Sequence, residues 1–367
     1  MTEVLLEQLT NEDIQWLRKT GQTLQVNANS VLIEANKQVD FFYLILSGEL
    51  VARVSRNTKS ALGKAFAALE GDRDLEQEIG RFSGGEVLGE IALFNINSSA
   101  STVQAIENSV VLALPRQEMM RKLEQDAGFA SRFYKSIAFL LKERFQRLLK
   151  LYLSRKMGQI SPLQVGQLFG ELSDSDVDWM LSGGHLEEIS RDTVVISAGK
   201  QVENLYVLLQ GKMSVRVSEA QKNRLTVAFA ALEQNQDLNA TPEREIARAS
   251  RGEIIGEITA FDMHLSNYTL KALEDSLVLA IPRQKLLGKL QQDTRMAARF
   301  YRMIGLLISS KHQGLIDRLG FGRSSYKVGQ SLSEDVNYED EIDLEVIDNI
   351  SLGRARFDWM LKRLNVS

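Results

Sequence analysis

The sequence is short of the residues that most reactive chemistry needs. It has no cysteine, which excludes disulfides and thiolate chemistry and suits a reducing cytoplasm. Its three histidines, His185, His264 and His312, are far apart and give no metal-ligand spacing. There is no excess of positive charge: 44 Lys and Arg stand against 48 Asp and Glu, a net charge of −4, so the global balance asks for no nucleic-acid backbone as partner. No apolar run reaches the roughly 18 residues that a membrane span needs. The N-terminus, MTEVLLEQLTNEDIQWL, has no basic segment followed by an apolar stretch, so no signal peptide is expected. No Ser/His/Asp set, no catalytic carboxylate pair on a recognisable motif, no P-loop and no metal cluster is found. A sensor is expected, not an enzyme.

What is present is a globular chain of 367 residues, 44% apolar and 25% charged, enough for two cores. It also repeats itself. AFAALE occurs at 65–70 and again at 228–233, and Trp16, Gln38, Tyr43 and Gly48 find Trp179, Gln201, Tyr206 and Gly211 at the same offset of 163. Further on the offset is 167: Gly89-Glu90 matches Gly256-Glu257, LALPRQ at 112–117 matches LAIPRQ at 279–284, and RFY at 132–134 matches RFY at 299–301. A four-residue insertion near 239–242 accounts for the change. A unit of roughly 165 residues is too long for a solenoid repeat and is read as a duplicated domain.

Each copy opens with a short helix, around DIQWL and DVDWML. Alternating strand patterns follow, FFYLILSGELVARVS (41–55) and LYVLLQGKMSVRVS (205–218), which predict a hairpin with one buried face about Gly48 and Gly211. A polar insert carrying AFAALE comes next and predicts a short helix or flap. EVLGEIALF and EIIGEITAF, then VVLALP and LVLAIP, complete the order, with Pro115 and Pro282 ending strands and starting helices. Phe129, Phe133, Ile137, Leu140, Leu141, Phe145 and Leu148 form a helical stripe, repeated by Met296, Phe300, Ile304, Leu307 and Ile308. Such a helix packs on its own domain, pairs with its counterpart, or does both with different faces.

This strand order, the LGEIAL segment, the LPRQ turn and the helix behind it resemble the cyclic nucleotide-binding domain family, whose bacterial members include the CRP-type regulators. The resemblance covers about 10–155 and 173–320. It implies a mainly β fold with α: two β-roll (jelly-roll) domains, each followed by a long helix, without a helix-turn-helix. The expected boundaries are 1–157 for the first domain, 158–172 for a hinge, 173–325 for the second domain, and 326–367 for an acidic tail and terminal helix. In that family a loop begins with Gly-Glu and ends at an arginine; backbone amides and the arginine hold the cyclic phosphate, and the glutamate takes the ribose hydroxyl. Gly89, Glu90, Gly256 and Glu257 match the start. Where the arginine belongs, one copy reads Ser98-Ser99-Ala100-Ser101-Thr102 and the other Leu265-Ser266-Asn267-Tyr268-Thr269. An unneutralised phosphate in a partly buried site is costly, which speaks against a plain cyclic mononucleotide.

Several charges are kept in both copies, among them Arg53 with Arg216, Arg81 with Arg248, Arg116 with Arg283, Asp126 with Asp293 and Arg132 with Arg299. Each is either a solvated ion pair or a ligand contact. Arg81 and Arg248 stand just before the Gly-Glu segments and are the first candidates for the missing cation. The hinge side adds Arg144, Arg147, Lys150, Arg155 and Lys156, a basic helix end or a cationic cleft. The expected ligand-binding set is therefore Arg81, Arg248, Arg132, Arg299, Gly89, Glu90, Gly256, Glu257, Ser99, Ser101, Ser266, Asn267, Arg144 and Arg147, with no catalytic or metal-binding residue and no cofactor.

A duplicated domain suits a ligand with its own two-fold symmetry. Cyclic di-GMP is one, and arginines and carboxylates are what read guanine. The whole chain also resembles a cyanobacterial family of cyclic di-GMP receptors with a CRP-like fold. That resemblance implies a cytoplasmic second-messenger receptor, a monomer or homodimer, that signals through a protein partner, a CRP-type transcription factor. The alternatives are a receptor for cAMP or cGMP, and a scaffold with two vestigial domains and no ligand. Direct DNA binding is not expected, because 334–348 carries eight acidic residues and no basic one. The chain ends in ISLGRARFDWMLKRLNVS, an amphipathic helix that echoes VDWML at 177–181; it packs on its own domain or serves a partner.

Overall fold

The structure, a computed structural model, describes residues 8–55, 76–94, 99, 101–154, 165–218, 243–256, 265–316 and 344–366. The AFAALE segments, Glu257, Arg155, Lys156 and the acidic run up to 343 lie outside the described residues.

Each copy builds two four-stranded antiparallel sheets. In the first copy helix α1 (Asn11–Thr20) precedes β1 (Gln22–Val26), β2 (Val31–Ile33), β3 (Phe41–Ser47), β4 (Glu49–Ser55), β5 (Glu76–Ser83), β6 (Val87–Leu88), β7 (Thr102–Ala105) and β8 (Ser109–Pro115). The sheets run β1-β8-β3-β6 and β2-β7-β4-β5. The second copy supplies β9 (His185–Ile189), β10 (Val194–Ile196), β11 (Asn204–Gln210), β12 (Met213–Ser218), β13 (Glu243–Ala249), β14 (Ile254–Ile255), β15 (Thr269–Ala272) and β16 (Ser276–Pro282). Its sheets, β9-β16-β11-β14 and β10-β15-β12-β13, repeat the topology strand for strand. The register faults repeat as well, at Ile45/Ser47 and Leu208/Gln210 and at Ala52/Arg53 and Val215/Arg216. Bulges bend and twist strands at fixed places, so their duplication shows that curvature, and not only strand order, descends from one ancestor.

The local chemistry explains the elements. Thr10 and Asp13 form a capping box on α1, and Ser173 and Asp176 form its counterpart on α5 (Asp174–Gly183). Pro115 and Pro282 stand at the N-caps of α2 (Arg116–Gln125) and α6 (Arg283–Gln292). Asp126 and Asp293, two of the repeated charges, accept the backbone N–H of Phe129 and Met296 and pair with Lys122 and Lys289. They start the long helices α3 (Ala127–Ser154) and α7 (Thr294–Ile316). The apolar stripes of both long helices are buried as the periodicity predicts. On α3, Phe133 meets Phe42 at 5.4 Å and Phe129 at 5.5 Å, tying the helix to β3.

The chain divides into two compact units that are not contiguous in sequence: Met1–Tyr152 with Ala297–Ile347, and Leu153–Met296 with Asp348–Ser367. Most of α7, which follows the second copy in sequence, thus belongs to the unit that holds the first copy. There Gly305 abuts Phe94, and a Cβ at 305 would lie 2.6 Å from the Cε1 of that ring. In the second unit α8 (Leu344–Arg363), from Asp348 onward, packs on α4 (Val165–Gly170) and α5. Phe357 stacks near Phe169 at 5.3 Å, Arg356 pairs with Asp174 at 2.7 Å, and Gly353 lies against the backbone of Gly166. The terminal helix therefore packs within its own unit, with Trp359 left exposed. No helix among the described residues is long and apolar enough to cross a membrane.

Gly48 and Gly211 have φ of +93° and +94° at the tips of the two hairpins. A Cβ at 48 would lie 2.6 Å from the Ser109 Cα, and one at 211 would lie 2.7 Å from the Ser276 Cβ. Gly48→Ala and Gly211→Ala are expected to cost about 2–4 kcal/mol each, from left-handed backbone strain plus overpacking. Urea unfolding of the two variants checks this, and a loss below about 0.5 kcal/mol in either would contradict it.

Candidate functional site

The core of the first copy lies between its two sheets and includes Val26, Ile33, Tyr43, Ile45, Leu50, Phe82, Val103 and Val111. At one end that core opens into a cavity of about 70 Å³. Its wall is partly apolar, from Ile33, Val39, Phe82, Val103 and Leu141, and partly polar, from Gly89, Glu90, Ser99, Ser101, Arg144, Arg147 and His312.

Gly89 makes the turn after β6 with φ of +78°, and a Cβ there would lie 2.5 Å from the carbonyl oxygen of Phe41. The following 3-10 turn, Glu90–Phe94, carries Glu90 inward, where it is 3% exposed. A carboxylate so placed needs a counter-charge. Arg144, one turn from the end of the buried stripe on α3, supplies it: the guanidinium pairs with Glu90 through Nη1 and donates from Nη2 to the carbonyl of Val87. The same group lies over the Phe82 ring at 4.6 Å, a cation–π contact. Arg144 is 9% exposed, and its Nε has no hydrogen-bond partner among the described residues.

Arg147, one turn further along α3, is half-exposed and stands 3.9 Å from Glu86. Glu86 is itself committed to the turn before β6, accepting the backbone N–H of Ser83 at 2.8 Å, and Glu253 does the same for Ser250. Ser99 donates from Oγ to the carbonyl of Ser101 and accepts its N–H, a small loop repeated by Ser266 with Tyr268. His312, on α7, closes the cavity. Burial, and then the guanidiniums of Arg144 and Arg147, push its pKa down to about 4, so the imidazole is neutral at physiological pH.

Six of the expected residues, Gly89, Glu90, Ser99, Ser101, Arg144 and Arg147, thus line one cavity. Others stand elsewhere. Arg81 lies on β5 beside Ile79, Gly80 and Phe82, which line the cavity, but is not itself part of the lining. It is exposed and paired with Glu78 at 2.6 Å and Glu49 at 3.4 Å. Arg248 repeats this on β13 with Glu245 at 2.8 Å. The repeated arginines are accounted for by a repeated ion pair three residues apart. Arg132 holds α3 to α1 through a bidentate bond to Asp13, at 2.7 and 3.0 Å. Arg299 lies on α7 and does not line the cavity. In the second copy Gly256 keeps its positive φ of +91°, Ser266 is buried and Asn267 is exposed. His312 and Phe82 were not expected at a site. The signal for His312 is the repeat itself, since the offset of 167 sets it against Phe145 and sets Lys311 against Arg144.

Two segments of the chain, residues 23–126 and 186–293, match the model of the family described as the cyclic nucleotide-binding domain. The chain belongs to that family. Domains of this family are receptor modules for cyclic nucleotides, and the chain carries two in tandem. Among solved structures, the chain is similar to the regulatory domain of Toxoplasma gondii PKA with cAMP, at 15% identity over 79% of this chain and 89% of that one, with a TM-score of 0.28. It is similar to the regulatory subunit of a cAMP-independent protein kinase A from Trypanosoma cruzi bound to guanosine, at 16% identity over 87% and 85%, TM-score 0.28. It is also similar to the N-terminal domain of a transcriptional regulator from Streptomyces coelicolor A3(2), at 18% identity over 38% and 87%, TM-score 0.30. No curated protein matches the chain.

Two outcomes test the electrostatics. Glu90→Gln leaves a buried guanidinium without its anion and is expected to cost about 3–5 kcal/mol, whereas Arg144→Met with Glu90→Gln is expected to cost much less than the two single variants summed. Additive losses in a double-mutant cycle would show that the two groups are not coupled. For Asp13, burial raises the carboxyl pKa, but the hydrogen bonds of Arg132 and Thr10 with the Arg132 charge outweigh it and hold the group below its ordinary value. A depressed pKa contributes stability that is present above the ordinary carboxylate range and lost as pH falls through the folded value. Asp13→Asn is therefore expected to lower stability at neutral pH and to flatten the acid limb of the stability profile. An acid limb identical to that of the unmodified chain would contradict this.

Proposed function

We propose that the chain is a second-messenger receptor that takes cyclic di-GMP and passes the signal to a protein partner, a CRP-type transcription factor. The observation that carries the ligand class is Arg144. The loop after the 3-10 turn lacks a cation, and a guanidinium from α3 stands at the cavity instead, next to the Gly89-Glu90 turn. With Arg144 bidentate on a phosphodiester, Glu90 is released to a ribose 2′-hydroxyl, and Arg147 at the rim offers the two parallel donors that suit the O6/N7 edge of guanine. Cyclic di-GMP brings all three groups in each of its halves, and one half fills one cavity.

The cavity holds about 70 Å³ as it stands, against roughly 300 Å³ or more for ordinary ligand sites. A nucleotide therefore enters by parting Arg144 from Glu90 and shifting α3. That movement is what a partner reads. The partner itself rests on the resemblance to the cyanobacterial receptors. A cyclic mononucleotide is the second reading, favoured by the fact that one cavity offers one committed phosphate cation. A scaffold without a ligand is the third.

Calorimetry of the full chain with cyclic di-GMP, cGMP and cAMP separates the three. Cyclic di-GMP is expected to bind, and Arg144→Lys, which keeps the charge but loses the fork, is expected to weaken it by about 10-fold or more. Arg81→Ala with Arg248→Ala is expected to leave affinity within about 2-fold, because exposed ion pairs contribute little. A flat titration with cyclic di-GMP overturns the ligand. Binding that survives Arg144→Lys and falls with the Arg81/Arg248 pair overturns the site.

A further inference from the structure

The second copy carries a surface groove that takes no part in the site of the first. It lies between α5 and α6, holds about 390 Å³, and has Trp179, Ser182, Gly183, Lys285, Gly288 and Lys289 in its lining. That volume falls within the range of ordinary binding sites. The half-buried indole of Trp179 gives the groove an apolar wall. Two ammonium groups stand at it, and none of the lining residues is acidic. Lys289 is held by Asp293 at 3.0 Å. Lys285 is exposed; it reaches the carbonyl of Gly183 at 3.5 Å, and no carboxylate pairs with it among the described residues.

The repeat shows that the fold does not require this groove. Where α5 and α6 carry Ser182, Gly183, Lys285 and Gly288, α1 and α2 carry Lys19, Thr20, Glu118 and Arg121. In the first copy Glu118 and Arg121 form an ion pair at 3.0 Å along α2. In the second copy a lysine stands for the acid and a glycine for the arginine, so a neutral pair becomes a single positive charge. Three of the four side chains are also smaller. Gly288 is the least expected of them, because a helix interior disfavours glycine. Packing does not demand it: a Cβ there would meet nothing within 4 Å. Its effect is to leave the space over the groove clear. Gly183 lies against the indole, where a Cβ would come within 3.2 Å of the Trp179 Cζ2 and crowd the ring.

An occupant must offer an apolar group to the indole and anions to the lysines. A basic segment is repelled by two ammonium groups. An uncharged apolar segment would cover Lys285 without giving it an anion. A segment with carboxylates on either side of one apolar residue meets both demands. We infer that the groove docks an acidic segment of a protein partner, with the apolar residue on Trp179 and the carboxylates on Lys285 and Lys289. This gives the partner of the proposed reading a surface and rests on that reading for there being a partner; the ligand of the first copy does not enter.

The test uses the full chain and, as probe, a short labelled peptide of Glu and Asp around a central Phe, with its Gln and Asn counterpart as control, read by fluorescence anisotropy. The acidic peptide is expected to bind at low salt and to weaken by about 10-fold or more at about 1 M salt, where the screening length is about 3 Å. The counterpart is expected to bind about 10-fold more weakly. Lys285→Glu with Gly288→Arg rebuilds the ion pair of the first copy and removes a mid-helix glycine. The double variant is therefore expected to melt no lower than the unmodified chain and to weaken the acidic peptide by about 10-fold or more. Its affinity for cyclic di-GMP is expected to stay within about 2-fold, since no groove residue lines the first copy's cavity. Peptide binding that is unchanged in the double variant overturns the groove as the site. Equal binding of the two peptides overturns the acidic occupant, and an unmodified chain that binds neither overturns the inference outright. GMP that binds the unmodified chain and not the double variant, with the acidic peptide unbound, makes the groove a nucleotide site and overturns the peptide. A dimer of the unmodified chain that becomes a monomer in the double variant, seen by sedimentation, assigns the groove to a second copy and overturns the partner. A flat cyclic di-GMP titration with the peptide still bound overturns the ligand reading and leaves the groove standing.

Discussion

Glu90 points into the interior of the first copy with almost no water around it, and much of the surrounding geometry follows from that. A carboxylate at 3% exposure is stable as an anion only when a cation and hydrogen bonds replace its hydration. The loop downstream has no cation to give, so α3 must deliver one. Delivering Arg144 fixes the rotation of α3: Leu141 and Arg147, one turn on either side, then line the same cavity, while Phe145 and Leu148 go into the core. The Phe82 face under the guanidinium and the Val87 carbonyl beside it complete the seat. Such a pair is poor evidence of stabilisation, because well-packed apolar groups of the same volume often do as well or better.

Duplication separates scaffold from site. Strand order, bulges, hairpin glycines, capping boxes, the helix-starting aspartates and the serine loop at Ser99 and Ser266 are all held in common. These features satisfy backbone groups or set curvature. The ends of the long helices are not held in common. Arg144 faces Lys311 across the repeat, and Arg147 faces Gly314. The first set belongs to the shared scaffold, and the second set is where the two copies differ.

The fold was legible in the sequence because it rests on local rules. Period-two alternation marked the hairpins, the helical stripes marked α3 and α7, and the internal offset marked the two copies. The site was legible only in part. Of the cavity's lining, Gly89 and Glu90 were singled out by their motif, and Ser99 and Ser101 by their position. Arg81 and Arg248 were the first candidates for the missing cation because they are near in sequence, yet Arg81 is exposed and paired with Glu78 and Glu49, and Arg248 with Glu245. Period two does not predict this, because Ile79, of the same parity as Arg81, lines the cavity at a register shift in β5. Arg144 and Arg147 were singled out as a basic helix end or a cationic cleft, but nothing local says which way the last turns of a long helix face. The placement of α7 was not readable at all, since it depends on non-local packing such as Gly305 against Phe94.

Moving the cation from loop to helix changes what a ligand can do. A phosphate held by a loop arginine orders that loop. A phosphate held by Arg144 acts directly on a 28-residue helix, which moves as a rigid element because its backbone bonds are internal. On the proposed reading the empty chain already satisfies Arg144 with Glu90, so a ligand gains only the difference between two charge-assisted contacts. A ligand shifts an equilibrium by no more than its differential affinity for the two states. The device is therefore modest in affinity and strong in mechanical consequence: each binding event must exchange one buried pair for another, and the helix that carries the exchanged group is the element it displaces.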